Sequence, residues 1–192
     1  MKSLIFYATT DGHTKKVAEA IARDWVGEVE VHPFEAFESF VGATDVDTVV
    51  IGASIRYGHF NRSVQQVISQ YTDWLNDIQS AFFCVNLTAR KPGKDDPANS
   101  PYVQKFLRAT GWMPDQLAIF AGRLAYPQYR FVDKQMIRFI MKITGGCADG
   151  KSTIEYTNWG EVKRFSKTIS GLNPSHYRPK SVMTQGADLQ VS

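Results

Sequence analysis

The sequence predicts an α/β domain in which helices cover both faces of a parallel sheet. Two observations predict it. Short apolar runs alternate with segments of helical period along most of the chain, and that alternation calls for crossovers that lay helices over parallel strands. Three polar loops, at 9–14, at 54–61 and from 86 onward, each follow an apolar run. In a parallel sheet they leave the carboxyl ends of the strands, where such sheets bind ligands.

The first run, 4–8, has the length and flanks of a buried strand. Beyond the loop at 9–14, Val17, Ala18, Ile21, Ala22 and Trp25 share one helix face. Residues 29–34 carry a weaker strand pattern, and Pro33 near its end places it at an edge. The strongest strand is 47–53. After the loop at 54–61, Val64, Val67, Ile68, Tyr71, Trp74 and Leu75 recur at helical spacing. A further buried strand at 81–85 leads into a long loop, 86–100, that contains Pro92, Gly93 and Pro97. Tyr102, Val103, Phe106 and Leu107 mark another helix face, ended by Gly111 and Pro114. Residues 117–121 are the fifth strand.

Residues 122–152 break the rhythm and read as an insertion into or after that strand, with a helical pattern of its own. A short strand resumes at 153–156. Asn158 with Glu161 starts a last helix, whose inward face is Val162, Phe165 and Ile169. Residues 1–172 thus form one domain. The tail 173–192 is rich in Pro, Ser, Lys, Gln and Gly without a period and is expected to be disordered.

Composition narrows the function classes. The 192 residues suit a single domain, 43% are hydrophobic, and the net charge of +3 is well short of a nucleic-acid arm. Cys84 sits in an apolar run and Cys147 in a glycine-rich loop. Two thiols in such different settings indicate neither a disulfide framework nor a metal site, and a reducing, cytoplasmic compartment is the expectation. The apolar run at the start is too short for a signal peptide. No stretch reaches the roughly 20 apolar residues of a spanning helix, so any meeting with a membrane is expected at its surface.

The loop Thr9-Thr10-Asp11-Gly12-His13-Thr14 follows a strand and opens a helix. Amides at a helix start point outward and the helix dipole favours an anion there. The threonine hydroxyls add donors, and Gly12 permits the turn. Neither G-x-x-x-x-G-K-[ST] nor G-x-G-x-x-G is present. A hydroxyl-rich loop without lysine suits a phosphate monoester such as that of FMN. Threonines in this place also simply cap helices, and both readings stand on the loop alone.

The loop resembles the phosphate loop of flavodoxins. Three further segments, Ile51-Gly52-Ala53-Ser54-Ile55-Arg56-Tyr57-Gly58-His59, Asn86-Leu87-Thr88-Ala89-Arg90-Lys91-Pro92 and Tyr126-Pro127-Gln128-Tyr129-Arg130, are similar to the bacterial quinone-dependent protoporphyrinogen IX dehydrogenases. The resemblance runs to about Leu172. It implies a flavodoxin-like three-layer sandwich with a five-stranded sheet in the order 2-1-3-4-5 and an insertion at the fifth strand. It also implies FMN-dependent oxidation of protoporphyrinogen IX to protoporphyrin IX in haem synthesis, with electrons passed to a membrane quinone at the cytoplasmic face of the inner membrane. Ser54, Ile55, Arg56, Tyr57, Gly58 and His59 would then line the flavin ring. Tyr57 offers a stacking face, and His59 is either a proton carrier or a surface histidine. Asn86, Leu87, Thr88, Ala89 and Arg90 would meet the other edge of the ring. Arg62, Lys91 and Arg123, with Arg56 and Arg90, are candidates to pair with the substrate's propionates. No residue's type and spacing mark it as an essential base.

In the insert, Arg130, Lys134, Arg138 and Lys142 recur every four residues as a basic stripe. Val132, Met136, Phe139, Ile140 and Ile143 fall on the opposite arc. Ile137 and Met141 lie beside the stripe and are expected to be exposed. The pattern fits a helix resting on an anionic lipid surface. A helix docked on its own domain, part of the substrate cover or a contact between copies of the chain would show the same spacing.

Two other functions share this fold. One is a flavodoxin-type electron carrier, which works through an acidic face and is disfavoured by the basic charge. The other is an NAD(P)H:quinone reductase.

Overall fold

The computed structural model describes residues 2–172. The expected tail, 173–192, lies outside them. Five parallel strands, β1 (Lys2–Ala8), β2 (Val29–Pro33), β3 (Val46–Ser54), β4 (Gln79–Asn86) and β5 (Gln116–Ala121), form one sheet in the order β2-β1-β3-β4-β5. Sequential strands run outward from β1 to β2, and the chain then returns to place β3 on the other side of β1. The carboxyl ends of β1 and β3 therefore flank the point where strand order reverses, the usual ligand crevice of such sheets.

Successive side chains on a strand point to opposite faces, and the core divides accordingly. Leu4, Phe6, Val49, Ile51, Phe82 and Cys84 pack on one face against Val64 and Ile68 of α2 (Arg62–Gln70), Leu75 of α3 (Thr72–Asp77) and Val103 and Phe106 of α4 (Pro101–Thr110). Ile5, Val50, Ala81, Phe83 and Val85 pack on the other against Val17 and Ile21 of α1 (His13–Arg23) and Val162, Phe165 and Ile169 of α6 (Trp159–Ser170). The central strands are buried on both faces, which is why they read as unbroken apolar runs.

Two local expectations are corrected. Trp25 lies past the end of α1 and only joins its face from the following turn. The helix after residue 61 is broken at Tyr71 into α2 and α3. The Thr72 hydroxyl lies 2.8 Å from the Ile68 carbonyl and 2.7 Å from that of Thr110, which pulls the chain towards the end of α4. The short strand expected at 153–156 is present outside the five-stranded sheet. It is β7 (Thr153–Glu155), paired antiparallel with β6 (Arg123–Ala125).

The β6–β7 ribbon closes the base of the insert, so the insertion follows the fifth strand and leaves it continuous. The ribbon carries α5 (Phe131–Ile143). Here the expected exposure of Ile137 and Met141 is overturned. They are 9% and 0% exposed and pack on Leu124 and Tyr126. The helix docks through this i, i+4 pair, which turns the arc of Phe131, Val132, Met136, Phe139, Ile140 and Ile143 outward.

Candidate functional site

The head of α1 opens onto a cavity of about 610 Å³. Gly12, with φ of 77°, supplies the left-handed turn that ends the loop, and the first intrahelical bond runs from Lys16 N to Gly12 O. The amides before Lys16 have no acceptor within the helix. Side-chain oxygens of Asn61, Ser100 and Asn158 cap α2, α4 and α6, but no side chain caps α1 and no acidic residue stands in its first turn. The threonines therefore do not cap the helix. Thr9, Thr10 and Thr14 line the cavity beside Asp11 and His13.

The second wall is the loop after β3. Arg56 N and His59 N each donate to the other residue's carbonyl at 3.0 Å, pinching the loop into a two-residue turn. Both turn residues, Tyr57 and Gly58, have positive φ, 51° and 81°, as such a hairpin requires. A tyrosine in this conformation is unusual, and two contacts hold it. Its hydroxyl donates to Asp133 Oδ1, and the Arg56 guanidinium lies 5.4 Å from its ring centre. Burial and the Asp133 carboxylate push the Tyr57 hydroxyl above its ordinary pKa. The Tyr57 hydroxyl and the Arg56 charge hold the Asp133 carboxyl below the usual carboxylate range. Ser54, Ile55, Arg56, Tyr57 and Gly58 all line the cavity. The Tyr102 ring is so close to Gly58 that a Cβ there would lie 3.2 Å from it.

Asn86, Leu87 and Thr88 form the third wall. Asn86 Oδ1 accepts from Ala89 N at 2.8 Å and turns the chain off the end of β4. The fourth wall is the insert, with Tyr129, Met136, Ile137, Ile140, Met141 and Thr144. Two basic side chains bind it to the body. Arg56 reaches Asp133 Oδ2 at 2.9 Å and Asp11 at 3.1 Å, bridging the insert helix to the loop before α1. Arg90 donates to the Leu87 carbonyl at 2.7 Å and to Thr144 Oγ1 at 2.9 Å.

Not every expected residue faces the cavity. Gly12, Ala89 and Arg90 stand behind its wall, and Arg90 is engaged in bracing α5. Arg62 is exposed at the first position of α2, and Lys91 follows the turn at 87–90, so neither lines it. Arg123 does, and donates to Gln128 at 2.7 Å. His59 lines an adjoining cavity of about 520 Å³ with Phe34, Glu35 and Phe60; Thr9, Thr10, Ser54 and Arg56 border both cavities. On α5, Arg138 donates to the Ala148 carbonyl at 3.1 Å and fastens the returning chain, while Arg130 and Lys142 are exposed. Sequence reasoning missed Tyr102, Asp133, Met136 and Thr144 as site residues. Tyr129 stood within a segment already singled out, and that was the available signal.

The residues present fit FMN. An uncapped helix head ringed by hydroxyls, with no lysine in the cavity wall, suits a phosphate dianion. The rest of the lining, with Tyr57, Leu87 and methionine and isoleucine side chains of α5, suits an aromatic ring system. The volume is in the usual range for a small-ligand site, about 300–1,000 Å³. Among the described residues no cluster of His, Cys, Asp or Glu is arranged to hold a metal.

The chain is similar to several known proteins. The profile of a family described as the flavodoxin domain matches residues 4–151. The chain is 43% identical over 175 residues to the protoporphyrinogen IX dehydrogenase (quinone) of Leishmania major, a match covering 89% of this chain and 75% of that protein. It is 40% identical over 180 residues to the protein of the same name from Escherichia coli strain K12, covering 90% and 96%. Among solved structures, a flavodoxin from the domain Archaea superposes with a TM-score of 0.50 at 16% identity, over 89% of this chain and 97% of that one. Two-electron reduced Megasphaera elsdenii flavodoxin gives 0.50 at 12% identity, over 90% and 100%. These two likenesses concern the fold alone.

Proposed function

The chain belongs to the flavodoxin-domain family and, within it, to the protoporphyrinogen IX dehydrogenases (quinone), and from that premise we propose that it is an FMN-dependent oxidoreductase that converts protoporphyrinogen IX to protoporphyrin IX and passes the electrons to a quinone. The observation that carries the reading is the extent of the match, which includes the insert as well as the sheet. The cavity supports it, because the insert helix forms one wall of the slot beside the uncapped helix head.

FMN, when bound, supplies the two-electron acceptor. The chain's own residues bind, orient and exclude water. The head of α1 and Thr9, Thr10 and Thr14 would hold its phosphate. Residues 54–58 and 86–88 would flank its ring. Met136 and Ile140 line the cavity with apolar surface that suits a macrocycle, and Arg123 places positive charge at its edge for a propionate, whereas Arg56 is taken up by Asp11 and Asp133. Turnover tests the reading. Purified protein with protoporphyrinogen IX and a soluble quinone, under anaerobic conditions and without a partner protein, forms fluorescent porphyrin. Quinone reduction driven by NADPH, with no porphyrin formed, would replace this reading with a quinone reductase.

The outward arc of α5 supports a membrane surface as the place of this reaction. Phe131, Phe139 and Ile143 are 77%, 63% and 68% exposed, with Val132, Met136 and Ile140 alongside and Arg130 and Lys142 at the rim. Among the described residues no helix is long and apolar enough to cross a membrane. An apolar arc edged by cations fits an anionic lipid surface, and the protein is peripheral on that surface. Met136 and Ile140 belong to both the arc and the cavity wall, so docking brings the slot to the lipid that dissolves a quinone.

A further inference from the structure

His13 is the first residue of α1 and is only 8% exposed. Its Nε2 lies 2.7 Å from Thr157 Oγ1 and 3.3 Å from Glu155 Oε1. The Thr157 hydroxyl is itself 2.7 Å from the Ala121 carbonyl at the end of β5. A hydroxyl has one proton, and a carbonyl oxygen only accepts. Thr157 therefore gives its proton to Ala121 and must accept from His13, which places a proton on Nε2. In the neutral ring Nδ1 is then a bare acceptor. It is buried and has no partner, an arrangement that native structures rarely leave unexplained. Nδ1 is the ring nitrogen nearer the backbone, here the uncapped head of α1, and His13 is part of the cavity wall.

We propose that His13 takes up a proton from solvent at Nδ1 when a phosphate monoester dianion occupies the head of α1, and so couples cofactor capture to protonation. The proposal rests on the FMN reading above. The imidazolium donates from Nε2 to Thr157 beside the Glu155 carboxylate, and its added charge lies in the first turn of α1. Every charged group around the ring bears on the balance. Burial lowers its pKa most, Glu155 of β7 raises it, and Lys16 of α1 and Arg123 of β6 lower it. The Trp159 ring of α6 lies edge-on with its centre 6.1 Å away and carries no charge. The ring is thus neutral before binding, and an arriving dianion adds the opposite charge that reverses the preference. Glu155 and Thr157 lie where the insert rejoins the domain, so the same proton ties the loaded site to the base of the ribbon.

The test uses the full chain freed of flavin and reloaded with FMN, and with inorganic phosphate as the second probe. Nitrogen-15 histidine spectra at pH 7.5, assigned with His13→Gln, are expected to show the Nε2–H tautomer without ligand and two protonated nitrogens with FMN or phosphate. Calorimetry in buffers of different ionisation enthalpy is expected to show proton uptake that His13→Gln loses. That variant keeps a side-chain donor towards Thr157 but cannot titrate. Between pH 7 and 9, where the phosphate is already a dianion, the FMN dissociation constant of the native protein is expected to rise by up to about tenfold per pH unit, and that of the variant to stay level. FMN binding with His13 neutral and no difference in proton uptake overturns this inference alone. Failure to bind either probe overturns it together with the FMN reading.

Discussion

The Asp133 carboxylate on the insert helix meets the Arg56 guanidinium at 2.9 Å, and the same guanidinium holds Asp11 of the loop before α1 at 3.1 Å. One side chain therefore joins the fourth wall of the cavity to its first. Asp133→Ala removes that join while leaving the buried Ile137 and Met141 in place. A solvent-screened ion pair contributes little to stability, so melting is expected to change little and FMN release to speed up by a few-fold at most, about 2–5-fold. Stopped-flow flavin fluorescence measures it. An unchanged release rate would show that Arg56 does not hold the insert over the site.

The same pair fixes the pH response of α5. The carboxyl's pKa is depressed in the folded state, chiefly by the Tyr57 hydroxyl and then by the Arg56 charge. Its contribution is present above the ordinary carboxylate value and is lost as pH falls through the depressed one. Amide exchange in α5, corrected for intrinsic rates, is expected to be level from pH 8 to 5 and to lose protection only below about pH 4. Loss of protection near neutrality would contradict the assignment.

Gly52 is the point at which β3 admits the Phe83 ring from β4. A Cβ on residue 52 would lie 2.0 Å from Phe83 Cζ. Gly52→Ala is expected to destabilise by about 1–3 kcal/mol or more, and Phe83→Leu in the same chain to recover part of that loss. Thermal unfolding of the single and double variants reads it.

The two thiols differ sharply. Burial pushes the Cys84 thiol up to about 12, whereas Cys147 is partly exposed. A thiol reagent at pH 8 is expected to titrate one cysteine in the native protein and two after unfolding. Two fast equivalents in the native state would place Cys84 outside the core.

Lipid docking predicts that Phe139→Ser with Ile143→Ser lowers binding to vesicles containing phosphatidylglycerol by about tenfold or more, with FMN content unchanged. Sedimentation with vesicles measures it. A native protein that ignores such vesicles but dimerises through α5 would assign the arc to a second copy of the chain.

How far the sequence could be read follows from which interactions are local. The five strands and most helix faces were legible because apolar period and helix stops such as Gly111, a left-handed cap here, act over a few residues. The break at Tyr71 was not, because the apolar period runs through it and its cause, Thr110, is 38 residues from Thr72. The face of α5 was misread for a related reason. A helix that is apolar on two sides does not say which side docks, and only the ribbon beneath it, with Leu124 and Tyr126, decides. The loop 9–14 stood out as a motif, and it lies at the head of α1 on the cavity wall. The engagement of Arg90 with Thr144 and of His13 with Thr157 spans 54 and 144 residues, and no local pattern reports it.

The most direct test of the central claim is the absorption spectrum of the purified full-length protein before and after anaerobic addition of protoporphyrinogen IX. The expected result is a flavin band near stoichiometric with protein that fades on mixing while porphyrin absorption appears. Protein that is colourless and takes up no added FMN, or a flavin band that persists in the presence of the porphyrinogen, would contradict the account.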